Sequence, residues 1–146
     1  MSAIAIVKDL PDWLKNQNAY GSKEWHLYSL RARLLLTLFR LRWFGRYDPQ
    51  QFQIDHRFSI KAGWINGVPL KVITNRNNLV LMPKAYNRQK GCGSSITLAE
   101  LYADYIPDNR VNRFVKTLLR VDDEDTLNRW ALTAYNYFKQ IATIAA

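Results

Sequence analysis

The sequence predicts an α+β protein that is mostly helical and carries a small strand–loop–strand–helix unit in its middle. Apolar residues recur at helical spacing on both sides of that unit, whereas Gln51–His56 alternates polar and apolar residues as a strand does. Turn-forming residues separate this strand from a second, apolar one at Leu79–Met82. With 146 residues, 48% of them hydrophobic, residues 1–146 have the size and composition of a single folded domain.

Residues 1–47 form the predicted helical N-terminal region. Pro11 lies near the first turn of a short helix, and Gly21 then interrupts the chain. Ser22 is the predicted N-cap of a long helix from Lys23 to about Phe44. That helix also carries Arg31, Arg33, Arg40 and Arg42. Its apolar residues are too numerous for all of them to be exposed, so at least one face must be core or interface.

Residues 51–93 form the predicted central unit. The strand Gln51–His56 is followed by a long loop, because turn formers recur through the next segment. These turn formers are Gly63, Asn66, Gly67 and Pro69. Pro83 ends the second strand and can open a helix, Lys84 to Lys90.

Residues 94–146 form the predicted helical C-terminal region. Thr97 and Glu100 have the spacing of a capping box, so a helix should begin there. A second helix runs from Asn109 to Arg120, and a third runs from the acidic residues 122–125 to Ile144. Those acidic residues indicate a helix N-terminus, where the dipole favours negative charge, rather than a metal site.

Positive charge is concentrated in the middle of the chain. The net charge is +9, and the segment from Ser22 to Gly91 holds thirteen Lys or Arg against three acidic residues. A concentrated basic surface attracts polyanions, so nucleic acid is the first candidate partner and an anionic membrane surface the second. A basic protein without any polyanion partner is a third interpretation.

The rest of the composition predicts a cytoplasmic protein. Cys92, the one cysteine, can form neither an intramolecular disulfide nor a zinc-binding pair. Met1 to Leu10 is too short and too charged for a signal peptide. No apolar run reaches the roughly 18 residues of a membrane span, so we expect no membrane partner.

Four polar residues of the central unit form a candidate site. Asp55 and His56 are adjacent at the end of the first strand, Asn78 precedes the second strand, and Asn87 lies on the following helix. Histidine is the natural general base near neutral pH, and carboxylate and amide oxygens favour Mg²⁺, Mn²⁺ or Ca²⁺ over zinc. Strand neighbours point to opposite faces, so a twist must bring Asp55 and His56 together. Alternatively, His56 is a buried structural residue and Asn78 caps a turn.

Residues 54–91 resemble the HNH endonuclease motif, most closely that of small bacteriophage enzymes, through Ile54-Asp55-His56, Asn78-Leu79-Val80-Leu81 and Asn87-Arg88-Gln89-Lys90-Gly91. The resemblance implies a ββα-metal fold embedded in the helical domain, with His56 as the general base. It implies that Asp55 and Asn87 bind one divalent ion, Mg²⁺ or Mn²⁺, and that Asn78 holds the long loop and helps to orient His56. Asn87 stands where the family name has its last histidine, and no structural zinc is expected.

The implied function is metal-dependent hydrolysis of DNA phosphodiester bonds, by nicking or double-strand cleavage, with low sequence specificity. A phage-encoded enzyme would act in the host cytoplasm, and a double-strand break would call for a homodimer or a partner protein. The residues expected to contact DNA are Arg57, Lys61, Arg76, Lys84, Arg88 and Lys90. Two alternatives stay open: a non-catalytic nucleic-acid-binding module, and a phage assembly protein whose apolar helices bind another protein.

Overall fold

The computed structural model describes residues 21–90 and 93–145, apart from the side chains of residues 89, 90, 144 and 145. The helix predicted at Pro11, the residues Gly91 and Cys92, and the side chain of Lys90 lie outside this description. Within it, seven α-helices and one 3-10 turn accompany a two-stranded antiparallel sheet. The predicted α+β class is therefore confirmed.

The elements follow the predicted order, with ends shifted by a few residues. In chain order they are α1 (Lys23–Arg42), β1 (Phe52–His56), α2 (Ile60–Ile65), α3 (Leu70–Ile73), the 3-10 turn (Arg76–Asn78), β2 (Leu79–Pro83), α4 (Lys84–Lys90), α5 (Leu98–Asp104), α6 (Asn109–Leu119) and α7 (Glu124–Ala145). The predicted caps are present as well. The Ser22 side chain accepts a hydrogen bond from the Trp25 amide, and Thr97 and Glu100 form the reciprocal capping box.

Helix α1 lies at the centre of the fold. It packs along α7 and also contacts α2, α3 and β1. Its buried residues point in many directions rather than along a single stripe, as a helix surrounded by other elements requires. One apolar cluster joins residues of α1, such as Leu35, to Phe58 after β1, to Leu118 of α6 and to Leu127 of α7. The described parts of the three predicted regions therefore share one core.

Two of the four α1 arginines, Arg31 and Arg40, donate to backbone carbonyls of other elements. Arg31 donates from Nε to the Leu118 carbonyl at 3.0 Å and from Nη2 to the Val121 carbonyl at 2.7 Å. Carbonyls at the end of a helix lack intrahelical donors, and this guanidinium supplies them at the end of α6. Arg33 and Arg42 remain exposed.

The long loop predicted between the strands is wrong in detail, because α2, α3 and the 3-10 turn lie in it. Ser59 caps α2 by accepting from the Ala62 amide. Gly63, expected in a turn, lies inside α2, where an added Cβ would lie 2.7 Å from Tyr28 Oη and 2.8 Å from Ile73 Cδ1. The glycine permits close packing against α1, a contact that local sequence does not reveal.

No helix in residues 21–90 or 93–145 combines the length and the apolar character needed to cross a membrane.

Substituting Gly63→Ala should lower the free energy of unfolding by about 2 kcal/mol, because the new methyl overpacks the α1–α2 contact. Tyr28 cannot simply swing away, since its hydroxyl donates to the Val68 carbonyl at 3.1 Å. Urea unfolding measures the change. Gly21→Ala is the matched control, because nothing lies within 4 Å of a Cβ there. Equal stability of the two variants would contradict the packing account.

Candidate functional site

Strand β1 carries Asp55 and His56 at its end. It pairs antiparallel with β2, so that Asp55 lies opposite Val80 and His56 opposite Leu79. Burial alternates along the strand: Ile54 and His56 are buried, whereas Asp55 is partly exposed. This is the alternation expected of a strand with one face on the core.

The Asp55 carboxylate nevertheless reaches His56. Its Oδ1 atom accepts a hydrogen bond from the His56 backbone amide at 2.8 Å and lies 3.6 Å from Nδ1 of the ring. The longer distance is an electrostatic contact rather than a hydrogen bond. A carboxylate beside Nδ1 favours the tautomer protonated there, which leaves the basic lone pair on Nε2. The structure thus brings together the two residues that the sequence placed on opposite strand faces.

Asn78 connects three segments of chain next to His56. Its Oδ1 accepts from the Phe58 amide at 2.8 Å, while Nδ2 donates to the Ile73 carbonyl at 2.8 Å and to the Phe58 carbonyl at 3.1 Å. Its own carbonyl accepts from the Arg57 amide at 2.7 Å. The side chain is buried, and its amide oxygen and both amide protons are used. Asn78 therefore holds the chain that leaves His56 and is not available for chemistry.

Asn87 lies on α4, the helix that contacts both strands. The Lys84 amide donates to the Gln51 carbonyl at 2.9 Å, which anchors the start of α4 beside the start of β1. Within the described part of the chain, the Asn87 Oδ1 atom is buried and has no hydrogen-bond partner. An unsatisfied buried acceptor costs about 1–3 kcal/mol, and a bound cation would satisfy it.

The oxygen atoms of Asp55 and Asn87 suit a hard divalent cation. Mg²⁺ commonly takes one or two protein oxygens and keeps several waters, so a site that used these two oxygens would suit it. No group of three or more His, Cys, Asp or Glu that could hold a metal occurs among the residues described. An ion here would therefore depend on the Asp–Asn pair and on water.

Arg40 is the site residue that sequence reasoning missed. From α1 it donates through Nε and Nη2 to the Ile54 carbonyl, at 2.9 and 2.7 Å, one residue before Asp55. Burial lowers the pKa of Arg40, and the nearby Asp55 charge opposes that shift. An arginine among apolar helix residues was visible in the sequence, but its partner, fourteen positions away, was not.

The predicted DNA-contacting residues differ in their surroundings. Arg57 donates to the Asn77 carbonyl at 3.0 Å and pairs with Asp104 at 3.2 Å, so its charge is matched within the protein. Arg76 and Arg88 are exposed, whereas Lys61 and Lys84 are half-buried.

Trp64 and His26 are not part of the candidate site. The Trp64 ring is tilted against Tyr28 and Trp25, with centroids 5.5 and 6.2 Å away. These contacts make Trp64 a packing anchor between α2 and α1. His26 is exposed on α1.

Comparison of the chain with models of protein families, with curated proteins and with solved structures finds no match.

Replacing Asn78→Ala should lower the free energy of unfolding by about 3 kcal/mol, because Phe58 N, Phe58 O and Ile73 O lose their partner inside the protein. Urea unfolding measures the loss. Asn77→Ala is the control: its Nδ2 donates once, to the exposed Asp104 carbonyl at 2.7 Å, so we expect a loss of about 1 kcal/mol. A smaller loss for Asn78→Ala than for Asn77→Ala would contradict the assigned role.

Proposed function

We propose that this protein is a metal-dependent DNA endonuclease of the HNH type, which hydrolyses phosphodiester bonds. The observation that carries the proposal is the position of the Asp55 carboxylate, which lies 3.6 Å from His56 Nδ1 at the end of β1. Strand β1 pairs with β2, and α4 follows β2 in the chain. The buried, unsatisfied amide oxygen of Asn87 is a second support. The strand–strand–helix order is the one that the HNH resemblance implies.

His56 acts as the general base in this mechanism. Its Nε2 takes a proton from the attacking water, and the Asp55 carboxylate beside Nδ1 stabilises the imidazolium that results. Asp55 and Asn87 would hold one Mg²⁺ or Mn²⁺ ion through their oxygens, and such an ion neutralises charge on the phosphate and the leaving oxygen. Asn78 keeps the backbone after His56 in place through its bonds to Phe58.

DNA is the proposed substrate because the central unit itself carries exposed basic residues. Exposed Arg76 and Arg88 lie in the segment that holds the site. Contacts of this kind recognise phosphates rather than bases, which favours low sequence specificity and strong salt dependence. The likeness to bacteriophage enzymes supports a phage origin and action in the host cytoplasm.

A second candidate is a nucleic-acid-binding protein that does not cleave. The burial of His56 favours it, since the side chain is only 3% exposed and a catalytic base must meet water. Asp55, with 21% of its side chain exposed, is the more accessible of the pair. The two candidates differ in one observable, cleavage in the presence of a divalent metal.

His56→Ala should lower the rate of plasmid cleavage at least about 100-fold, the usual contribution of a general base. Conversion of supercoiled plasmid to nicked or linear forms in EDTA, Mg²⁺ and Mn²⁺ measures the effect. His26→Ala is the matched control, because it removes an exposed histidine outside the site and should cut normally.

Circular dichroism must show that His56→Ala still folds, since the residue is buried. A folded variant that cuts at the normal rate would rule out His56 as the base. DNA binding by the unmodified protein, without cleavage in either metal, would favour the binding protein instead.

Asn87→Ala should weaken Mn²⁺ binding on the order of tenfold or more, since even residues one layer behind metal ligands contribute that much. Asn87→Asp, which keeps an oxygen at this position, should retain binding. Calorimetric titration with MnCl₂ reads this without any cleavage. Asn112→Ala is the control, because Asn112 also has a buried Oδ1 without a partner among the described residues but lies on α6. Equal Mn²⁺ affinity of the two alanine variants would remove Asn87 from the metal site.

A further inference from the structure

We propose that a cavity beside the candidate active site binds a phosphate group of the nucleic-acid strand; this inference rests on the proposed function. The cavity has a volume of about 290 Å³, many times the roughly 30 Å³ of one water molecule. We call it the basic cavity. The residues that define it are Arg40, Tyr47, Gln53, Lys84, Tyr135 and Lys139.

Three cations from three separate helices meet at the basic cavity. Arg40 comes from α1, Lys84 from the start of α4 and Lys139 from α7. None of the described residues that line the cavity is acidic. Like charges gathered in a concave site repel one another and raise the local potential, and a bound anion relieves that repulsion.

The basic cavity is close to Asp55. Gln53 lines it and lies two positions before Asp55 on β1, so both side chains project from the same strand face. The strand rise puts their Cα atoms about 7 Å apart. Arg40 joins the two places, because it lines the cavity and also interacts with the Asp55 charge. A nucleic-acid strand with one phosphate bound in the cavity would therefore pass the candidate site at Asp55.

The Tyr47 hydroxyl favours an oxyanion as the ligand. This oxygen is buried without a hydrogen-bond partner in the described ranges. Burial raises the pKa of Tyr47, so the phenol stays protonated at neutral pH and can donate. The bonds from Arg40 to Ile54 use Nε and Nη2, which leaves Nη1 to donate as well. Phosphate oxygens accept such charge-assisted hydrogen bonds strongly.

Aromatic rings at the rim favour a nucleic-acid strand over a free phosphate ion. Phe52 is 36% exposed and Tyr135 is 45% exposed, and both line the cavity. Lys139 Nζ lies over the Tyr135 ring, 5.6 Å from its centre, which brings a cation to the same aromatic group. Bases next to a bound phosphate stack on such rings whatever their sequence.

A larger groove of about 730 Å³ between α3 and α6 is a weaker candidate. It also carries cations, namely Lys71, Arg113 and Lys116. Its unsatisfied buried atom is Asn112 Oδ1, which is an acceptor, and an anion would leave it unsatisfied.

The test is the binding of a fluorescently labelled single-stranded oligonucleotide in EDTA, followed by anisotropy at several salt concentrations. Lys139→Gln should weaken binding and reduce the slope of log affinity against log salt by about 0.7, the value for one lost phosphate contact on a single strand. Tyr47→Phe should weaken binding without changing the slope, because it removes a donor but no charge. Lys23→Gln, which removes the same charge about 25 Å along α1 from Arg40, should change neither.

Equal effects of Lys139→Gln and Lys23→Gln would overturn the proposal, as would the absence of oligonucleotide binding by the unmodified protein. Competition with inorganic phosphate separates the two sources of the anion. If phosphate binds in a Lys139-dependent way while the oligonucleotide does not bind, the nucleic-acid assignment is wrong. EDTA prevents metal-dependent cleavage, so the binding experiment is independent of nuclease activity. If the three variants bind the oligonucleotide as expected but the protein cuts DNA in neither Mg²⁺ nor Mn²⁺, the cavity is supported and the nuclease is rejected. Normal binding by the Lys139 and Tyr47 variants of an active nuclease would reject only the cavity.

Discussion

The side-chain amide of Asn78 is the interaction on which the central unit depends. It joins the chain after β1, the end of α3 and the start of β2, which meet at one buried point. The Phe58 amide, the Phe58 carbonyl and the Ile73 carbonyl all bond to this side chain. In the protein interior no water would take its place if it were removed. Phe58, one of the residues bonded to Asn78, lies two positions after His56. The bonds that hold the helical segment between the strands therefore also fix the end of β1.

A second constraint comes from two arginines of α1 that donate to backbone carbonyls. Arg31 supplies donors to carbonyls at the end of α6, and Arg40 supplies them to Ile54. Long side chains can cross the helix surface and carry five donors in a planar fork, which suits carbonyls that secondary structure leaves unpaired. Part of the basic excess of this chain therefore maintains the fold, and net charge overstates the surface available to a polyanion.

The candidate site and the basic cavity lie at successive positions of the same strand. Asp55 belongs to the first and Gln53 to the second, while Arg40 lines the cavity and donates to the Ile54 carbonyl next to Asp55. Two unsatisfied buried polar atoms, Asn87 Oδ1 and Tyr47 Oη, are found in these two places. An acceptor suits a cation and a protonated phenol suits an anion, which are the charges that phosphodiester hydrolysis brings together.

The sequence by itself determined the features that local physics controls. The Ser22 cap, the capping box at Thr97 and the alternation along Gln51–His56 are short-range patterns, and each predicted its element correctly. Only the tertiary structure decided the helices between the strands, the place of Gly63 against Tyr28, and the partners of Arg40. These depend on contacts between residues far apart in the chain, and no local spacing specifies which distant surface will pack against a given residue.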